Sequence, residues 1–72
     1  MNATIDNVQI QVLPEQEQRV IFIDGSIVPY FMGWNEKKYS WEFTDRNTPE
    51  KLIGNENAIS NLIINSEKKK TG

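Results

Sequence analysis

The side chains of this chain that could do acid–base chemistry are carboxylates and tyrosines, because the sequence contains no histidine and no cysteine. Catalytic carboxylates usually work as a close pair whose apolar surroundings raise one pKa. Asp24 and Asp45 instead stand in a turn and at the start of a helix, and the glutamates are scattered. The serines lack a histidine that could activate them. The sequence therefore predicts no catalytic residues and no enzyme.

Metal and cofactor sites are not expected either. Without cysteine or histidine, the usual thiolate and imidazole ligands of transition metals are missing. Residues 45–50 offer oxygen ligands but lack the glycine and the spacing of a calcium loop, so a helix start explains them better. The glycines are isolated from one another and form no phosphate-binding loop. We expect no cofactor and no metal.

One constellation could bind nucleic acid, namely Trp34, Tyr39 and Trp41 beside Lys37 and Lys38. Aromatic rings next to cations form platforms on which the bases of single strands stack. The competing interpretation, which we favour, places both tryptophans in the core. The formal net charge of −2 also argues weakly against a nucleic-acid partner. A small nucleic-acid-binding protein that uses Lys37, Lys38, Tyr39 and Trp41 remains the alternative function.

The length of 72 residues favours a single domain. So small a core is often supplemented by association, and we therefore expect a homodimer or a protein partner. No apolar run has membrane-spanning length and no signal peptide is recognisable, so a cytoplasmic protein without a membrane partner is expected. The predicted boundaries are a flexible N-terminus over 1–4, the domain over 5–66 and a flexible basic tail over 67–72.

Four stretches of alternating or β-branched apolar residues predict strands, at residues 5–13, 19–23, 26–34 and 39–43. Asp24-Gly25 between two of them indicates a two-residue hairpin turn, and residues 35–38 indicate a four-residue turn. Pro29 lies inside the third stretch, where it cannot donate a ladder hydrogen bond. The prediction is an α+β fold in ββββα order, a four-stranded antiparallel sheet of two hairpins with one C-terminal helix packed on one face.

The helical region begins after Asp45. Thr48 is predicted to cap it, and Pro49 and Glu50 suit its first turn. Its apolar stripe is interrupted at Gly54-Asn55, which predicts a short helical turn followed by a main helix over residues 57–66; a single helix with a weak point is the alternative. The stripe consists of Leu52, Ile53, Ile59, Leu62 and Ile63.

The two turns set a register that divides the side chains between two faces of the sheet. Face A is apolar or aromatic and is predicted to lie under the helix; it holds Ile21, Ile23, Val28, Tyr30, Met32, Trp34, Tyr39, Trp41 and Phe43. Face B is apolar at one end and polar at the other; it holds Val20, Phe22, Ile27, Pro29, Phe31, Gly33, Lys38, Ser40 and Glu42.

The first strand could join either face. If residues 15–18 form the loop, Val8, Ile10 and Val12 join face A and face B stays open; if residues 14–18 form it, they join face B. We favour the first arrangement. An open apolar patch on a small protein usually marks an interaction site. The predicted function is a small non-catalytic protein–protein interaction module, a regulator, inhibitor or accessory subunit, whose interaction surface is Val20, Phe22, Ile27, Pro29 and Phe31.

Overall fold

The chain folds as a five-stranded antiparallel meander followed by two helical segments. The structure, a computed structural model, describes the backbone of residues 1–71 and the side chains of residues 1–68. The elements in chain order are β1 (Asn2–Ile5), β2 (Val8–Glu15), β3 (Gln18–Ile23), β4 (Tyr30–Asn35), β5 (Ser40–Phe43), α1 (Glu50–Ile53) and α2 (Glu56–Thr71).

The predicted α+β class, with an antiparallel sheet and a C-terminal helix, is confirmed, but the strand count is wrong. The additional strand is β1, which pairs with β2 and extends from the segment expected to be a flexible N-terminus, residues 1–4, to Ile5, the first residue of the predicted domain. Asp6 and Asn7 connect the two with φ values of 50° and 64°. Aspartate and asparagine tolerate this left-handed region, so a tight hairpin forms without glycine.

The β2–β3 hairpin follows the favoured alternative for the first strand. Pro14 lies opposite Arg19, as a loop over residues 15–18 requires, and the ladder continues by one further pair, Glu15 opposite Gln18. Ile10 and Val12 therefore pair with residues of face A. The favoured placement of the first strand is thus confirmed, and none of the strands described in residues 1–71 lies over face B.

The β3–β4 connection contains the predicted turn but not the predicted register. Asp24 and Gly25 have φ values of 49° and 74°, and the Ser26 amide donates to the Ile23 carbonyl at 2.8 Å, as in a type I′ turn. Residues 26–29 then leave the ladder, and Ile21 lies opposite Tyr30 rather than the predicted Val28. Two local causes are visible: Pro29 has no amide to donate, and the Val28 amide bonds to Ser26 Oγ at 3.1 Å.

The β4–β5 pairing is also displaced by two residues, and its turn by one. Trp34 lies opposite Trp41 instead of Tyr39, so the turn spans residues 36–39. Asn35 Oδ1 accepts the amides of Lys37 and Lys38, and this turn holds Tyr39 at φ 55° outside the strand. Tyr39 is consequently 72% exposed, and its prediction as a core residue is wrong.

The helical region is divided at Gly54-Asn55, as the broken stripe predicts. Pro49, not Thr48, is the N-cap residue of α1, and the Thr48 hydroxyl donates to the Asp45 carbonyl at 2.6 Å. The Asn55 carbonyl accepts the amide of Ile59 and so opens α2. That helix runs to Thr71, through much of the predicted tail; residue 72 and the side chains of Lys69 and Lys70 lie outside the description.

The core lies between face A and the two helical segments. Among the residues whose side chains are described, the helices contribute to this one cluster, and none of its members lies on face B. Half-buried apolar side chains from β1, β2 and the ends of β4 and β5 pack around it. The buried cluster consists of Ile10, Val12, Ile21, Ile23, Met32, Trp41, Leu52, Ile59 and Ile63.

Candidate interaction surface

Face B carries an apolar strip across β2, β3 and β4. Val20 lies opposite Leu13 on one side and opposite Phe31 on the other, and directly opposed residues share a face. Phe22 lies two residues along β3 on the same face and is half-buried, as is Phe31. The structure thus brings together three of the five predicted residues and adds Leu13, which is 39% exposed.

Leu13 was missed although its position carries a signal. It alternates with Val12 along β2 and therefore belongs to face B whenever Val12 belongs to face A. The choice between the two loop alternatives thus decides the face of Leu13 as well.

Ile27 and Pro29 were predicted as strand residues of face B and lie instead in the loop over residues 26–29. The reason is the early end of the ladder described above. Ile27 is 90% exposed, far more than any other large apolar side chain among the described residues. The described part of the chain therefore leaves the Ile27 side chain exposed to solvent and accessible to a partner.

Val20 lies at the centre of the strip and is only 7% exposed, yet it does not belong to the core cluster. Its cross-strand neighbours on this face are the larger side chains of Leu13 and Phe31. The accessible part of the strip therefore consists of Leu13, Phe22 and Phe31 around a shielded valine, with Ile27 on the adjoining loop.

Two shallow concavities connect the strip to the loop. One of about 470 Å³ is lined by Gln11, Phe22, Gly25, Ser26 and Ile27. The other, also about 470 Å³, shares three of those residues and reaches Asn2 and Thr4 on β1. Phe22 thus lies beside a shallow groove on face B, with Ile27 on its rim.

The opposite end of face B is polar and ordered by hydrogen bonds. Asn35 Nδ2 donates to Glu42 Oε1 at 2.9 Å, and Lys38 Nζ lies 3.2 Å from Glu42 Oε2. The bond from Asn35, followed by that from Lys38, holds the pKa of the Glu42 carboxyl below its usual value. This end stays charged at neutral pH and bounds the apolar strip.

The alternative aromatic and basic site is only partly assembled. Trp41 is buried, Lys38 is engaged with Glu42, and the exposed rings are those of Trp34 and Tyr39. Those two rings meet edge-to-face, with centroids 5.0 Å apart and an interplanar angle of 75°.

Arg19 and Glu67 form a contact that the sequence did not reveal. Nε and Nη2 of Arg19 donate to Glu67 Oε2 at 2.8 and 2.6 Å, and the guanidinium lies 4.5 Å from the Trp41 ring centroid. The residues are 48 positions apart, so no local pattern relates them. The pair ties α2 to β3 and occupies a face of Trp41.

Comparison of the chain with models of known protein families, with curated proteins and with solved structures found no match. Within the part of the chain that the structure describes, no helix has both the length and the apolar character needed to cross a bilayer.

Proposed function

We propose that this chain is a small non-catalytic protein–protein interaction module, acting as a regulator, inhibitor or accessory subunit, with face B as its contact surface. Its partner is another protein or a second copy of the chain, and its place of action is the cytoplasm. The observation that carries the proposal is the location of Ile27, 90% exposed on a loop beside the half-buried Phe22.

The shape and chemistry of face B support a protein partner. Aromatic and branched apolar anchors surrounded by polar groups are the usual composition of the energetic centre of an interface. Phe22, Phe31 and Leu13 provide the anchors, and the Asn35–Lys38–Glu42 network provides a polar rim on one side. No element of the described chain covers this surface, whereas the helices pack on the core cluster of face A.

The test substitutes Ile27 by aspartate. Because the side chain is 90% exposed, Ile27→Asp leaves the fold and its circular dichroism unchanged. At an interface the new carboxylate would be buried without a partner, and we expect binding to weaken by about 2 kcal/mol or more. The measurement is capture of a partner from the native cell by the wild type and the variant, followed by titration of the captured protein.

Asn61→Asp is the matched control, since it adds the same charge at an exposed position of α2, on the other side of the sheet. A partner retained by Asn61→Asp and lost with Ile27→Asp supports face B. A partner bound equally by both variants shows that the working surface lies elsewhere. Phe31→Asp is a second, harsher variant on the strip, with Lys38→Ala at the polar end as its control.

A further inference from the structure

The two edge strands of the sheet, β5 and β1, differ in whether other described residues bond to their outward backbone groups. On β5, the outward amide of Trp41 donates to Ser60 Oγ and that of Phe43 donates to Glu56 Oε2, each at 2.8 Å. Side chains of α2 therefore close this edge. Within the described residues, no strand pairs with the outer edge of β1. An open edge presents free amides and carbonyls to any extended chain.

The groups that β1 presents can be identified from its pairing with β2. Met1 and Val12 exchange both backbone hydrogen bonds, at 2.9 and 2.7 Å. Hydrogen-bonded and non-hydrogen-bonded pairs alternate along an antiparallel ladder, so the odd-numbered residues of β1 bond to β2. The amides and carbonyls of Asn2 and Thr4 consequently point away from the sheet.

We propose that two copies of this chain associate by antiparallel pairing of their β1 strands. Asn2 of each copy lies opposite Thr4 of the other, and each such pair exchanges two hydrogen bonds. Ala3 faces its own counterpart at the two-fold axis, which runs perpendicular to the sheet. The result is one continuous sheet through both copies, with both B faces on the same side.

Two features of β1 are compatible with a second copy as the occupant of this edge. The outward groups are placed symmetrically about Ala3, so an identical antiparallel strand satisfies all of them in an isologous interface. The strand Asn2–Ile5 also carries no charged side chain and no proline, which are the usual devices against edge pairing.

Apolar contacts on face A point to the same occupant. Met1, which is 39% exposed, shares this face with the half-buried Ala3 and Ile5. In the proposed register Met1 of one copy lies opposite Ile5 of the other. The small Ala3 side chain allows the close approach of a non-hydrogen-bonded pair. Pairing therefore extends the core cluster from one copy into the next.

The test is sedimentation equilibrium from micromolar to millimolar concentration. We expect reversible dimerisation of the wild type and its loss in Thr4→Pro, because proline removes the outward amide and leaves the bonds to β2 intact. Thr4→Val is the matched control; it keeps the amide and is expected to dimerise as the wild type does. A wild type that stays monomeric throughout, or a Thr4→Pro variant that dimerises unchanged, overturns the proposal.

Hydrogen exchange on the wild type keeps the test decisive if Thr4→Pro impairs folding. The amides of Asn2 and Thr4 should become protected as the concentration rises, and unchanged exchange in a dimer would overturn edge pairing. The pairing does not involve face B, so Ile27→Asp should dimerise normally. Failure of one proposal therefore leaves the other standing.

Discussion

Trp41 is an aromatic residue whose environment removes it from the surface. Its ring is 6% exposed, meets Trp34 edge-to-face at 5.3 Å, and is covered by the Arg19 guanidinium. Glu67 fixes that guanidinium from α2. The side chain that could have stacked on a nucleic-acid base thus connects the sheet to the helix.

Replacing Trp41 by alanine should cost about 3–5 kcal/mol, the usual range for a buried aromatic side chain. A core of this size supplies only about that much stability, so the variant should be largely unfolded. Chemical denaturation followed by circular dichroism measures the effect. Tyr39→Ala is the exposed aromatic control and should cost about 1 kcal/mol or less. Equal melting midpoints for the two variants would contradict the burial of Trp41.

At the scale of elements, α2 covers the core and also closes the β5 edge. Ser60, 2% exposed, and Glu56 are spaced one helical turn apart, so their side chains reach alternate outward amides of the neighbouring strand. A helix that uses polar side chains in this way satisfies the buried backbone of an edge strand without another strand. The helix thereby directs further strand pairing to β1.

Ser60→Ala tests this role of the helix. The Trp41 amide would lose its acceptor in a buried position, and we expect a loss of about 1–3 kcal/mol in unfolding free energy. Asn61→Ala, at the adjacent exposed position, should change the stability by about 0.5 kcal/mol or less. Denaturant titration gives the energies, and faster hydrogen exchange at the Trp41 amide identifies the cause. Wild-type exchange at that amide in Ser60→Ala would refute the assignment.

At the scale of the whole molecule, charge and apolar surface favour different partners. The net charge is −2, and of the two turn lysines beside the exposed aromatic pair, Lys38 is engaged by the Glu42 carboxylate. The apolar strip of face B and the adjoining loop could bind a protein partner without a cationic surface. The molecule as a whole therefore favours apolar association over binding to phosphates.

Titration with mixed single-stranded oligonucleotides distinguishes the two. We expect no saturable change in fluorescence anisotropy at physiological salt, because neutralisation of phosphates requires a cationic surface. Association through apolar surfaces should persist or strengthen as stabilising salt is added. Saturable oligonucleotide binding that weakens steeply with salt and is lost in Tyr39→Ala would favour the β4–β5 hairpin as the working site.

Much of the fold follows from local patterns in the sequence. Both hairpin registers after β3 are displaced by two residues, yet Ile21, Met32 and Trp41 still lie on face A, because side chains alternate with a period of two. The helix break at Gly54-Asn55 was likewise readable, since it interrupts the apolar stripe. A register error of two residues leaves each strand side chain on its predicted face. The same error changes which residues lie in the loops.

Other features depend on partners that are distant in the sequence. The alternation in Asn2–Ile5 covers only four residues, and β1 forms with β2 as its hydrogen-bonding partner. The exposure of Ile27 follows from where the β3–β4 ladder stops, and the contacts of Ser60 and Arg19 join separate elements. The sequence by itself determined the face on which the strand residues of the core lie, because alternation along a strand has a local period. Only the tertiary structure decided where each ladder ends and which edge stays open, because hydrogen bonds between elements have no local signature.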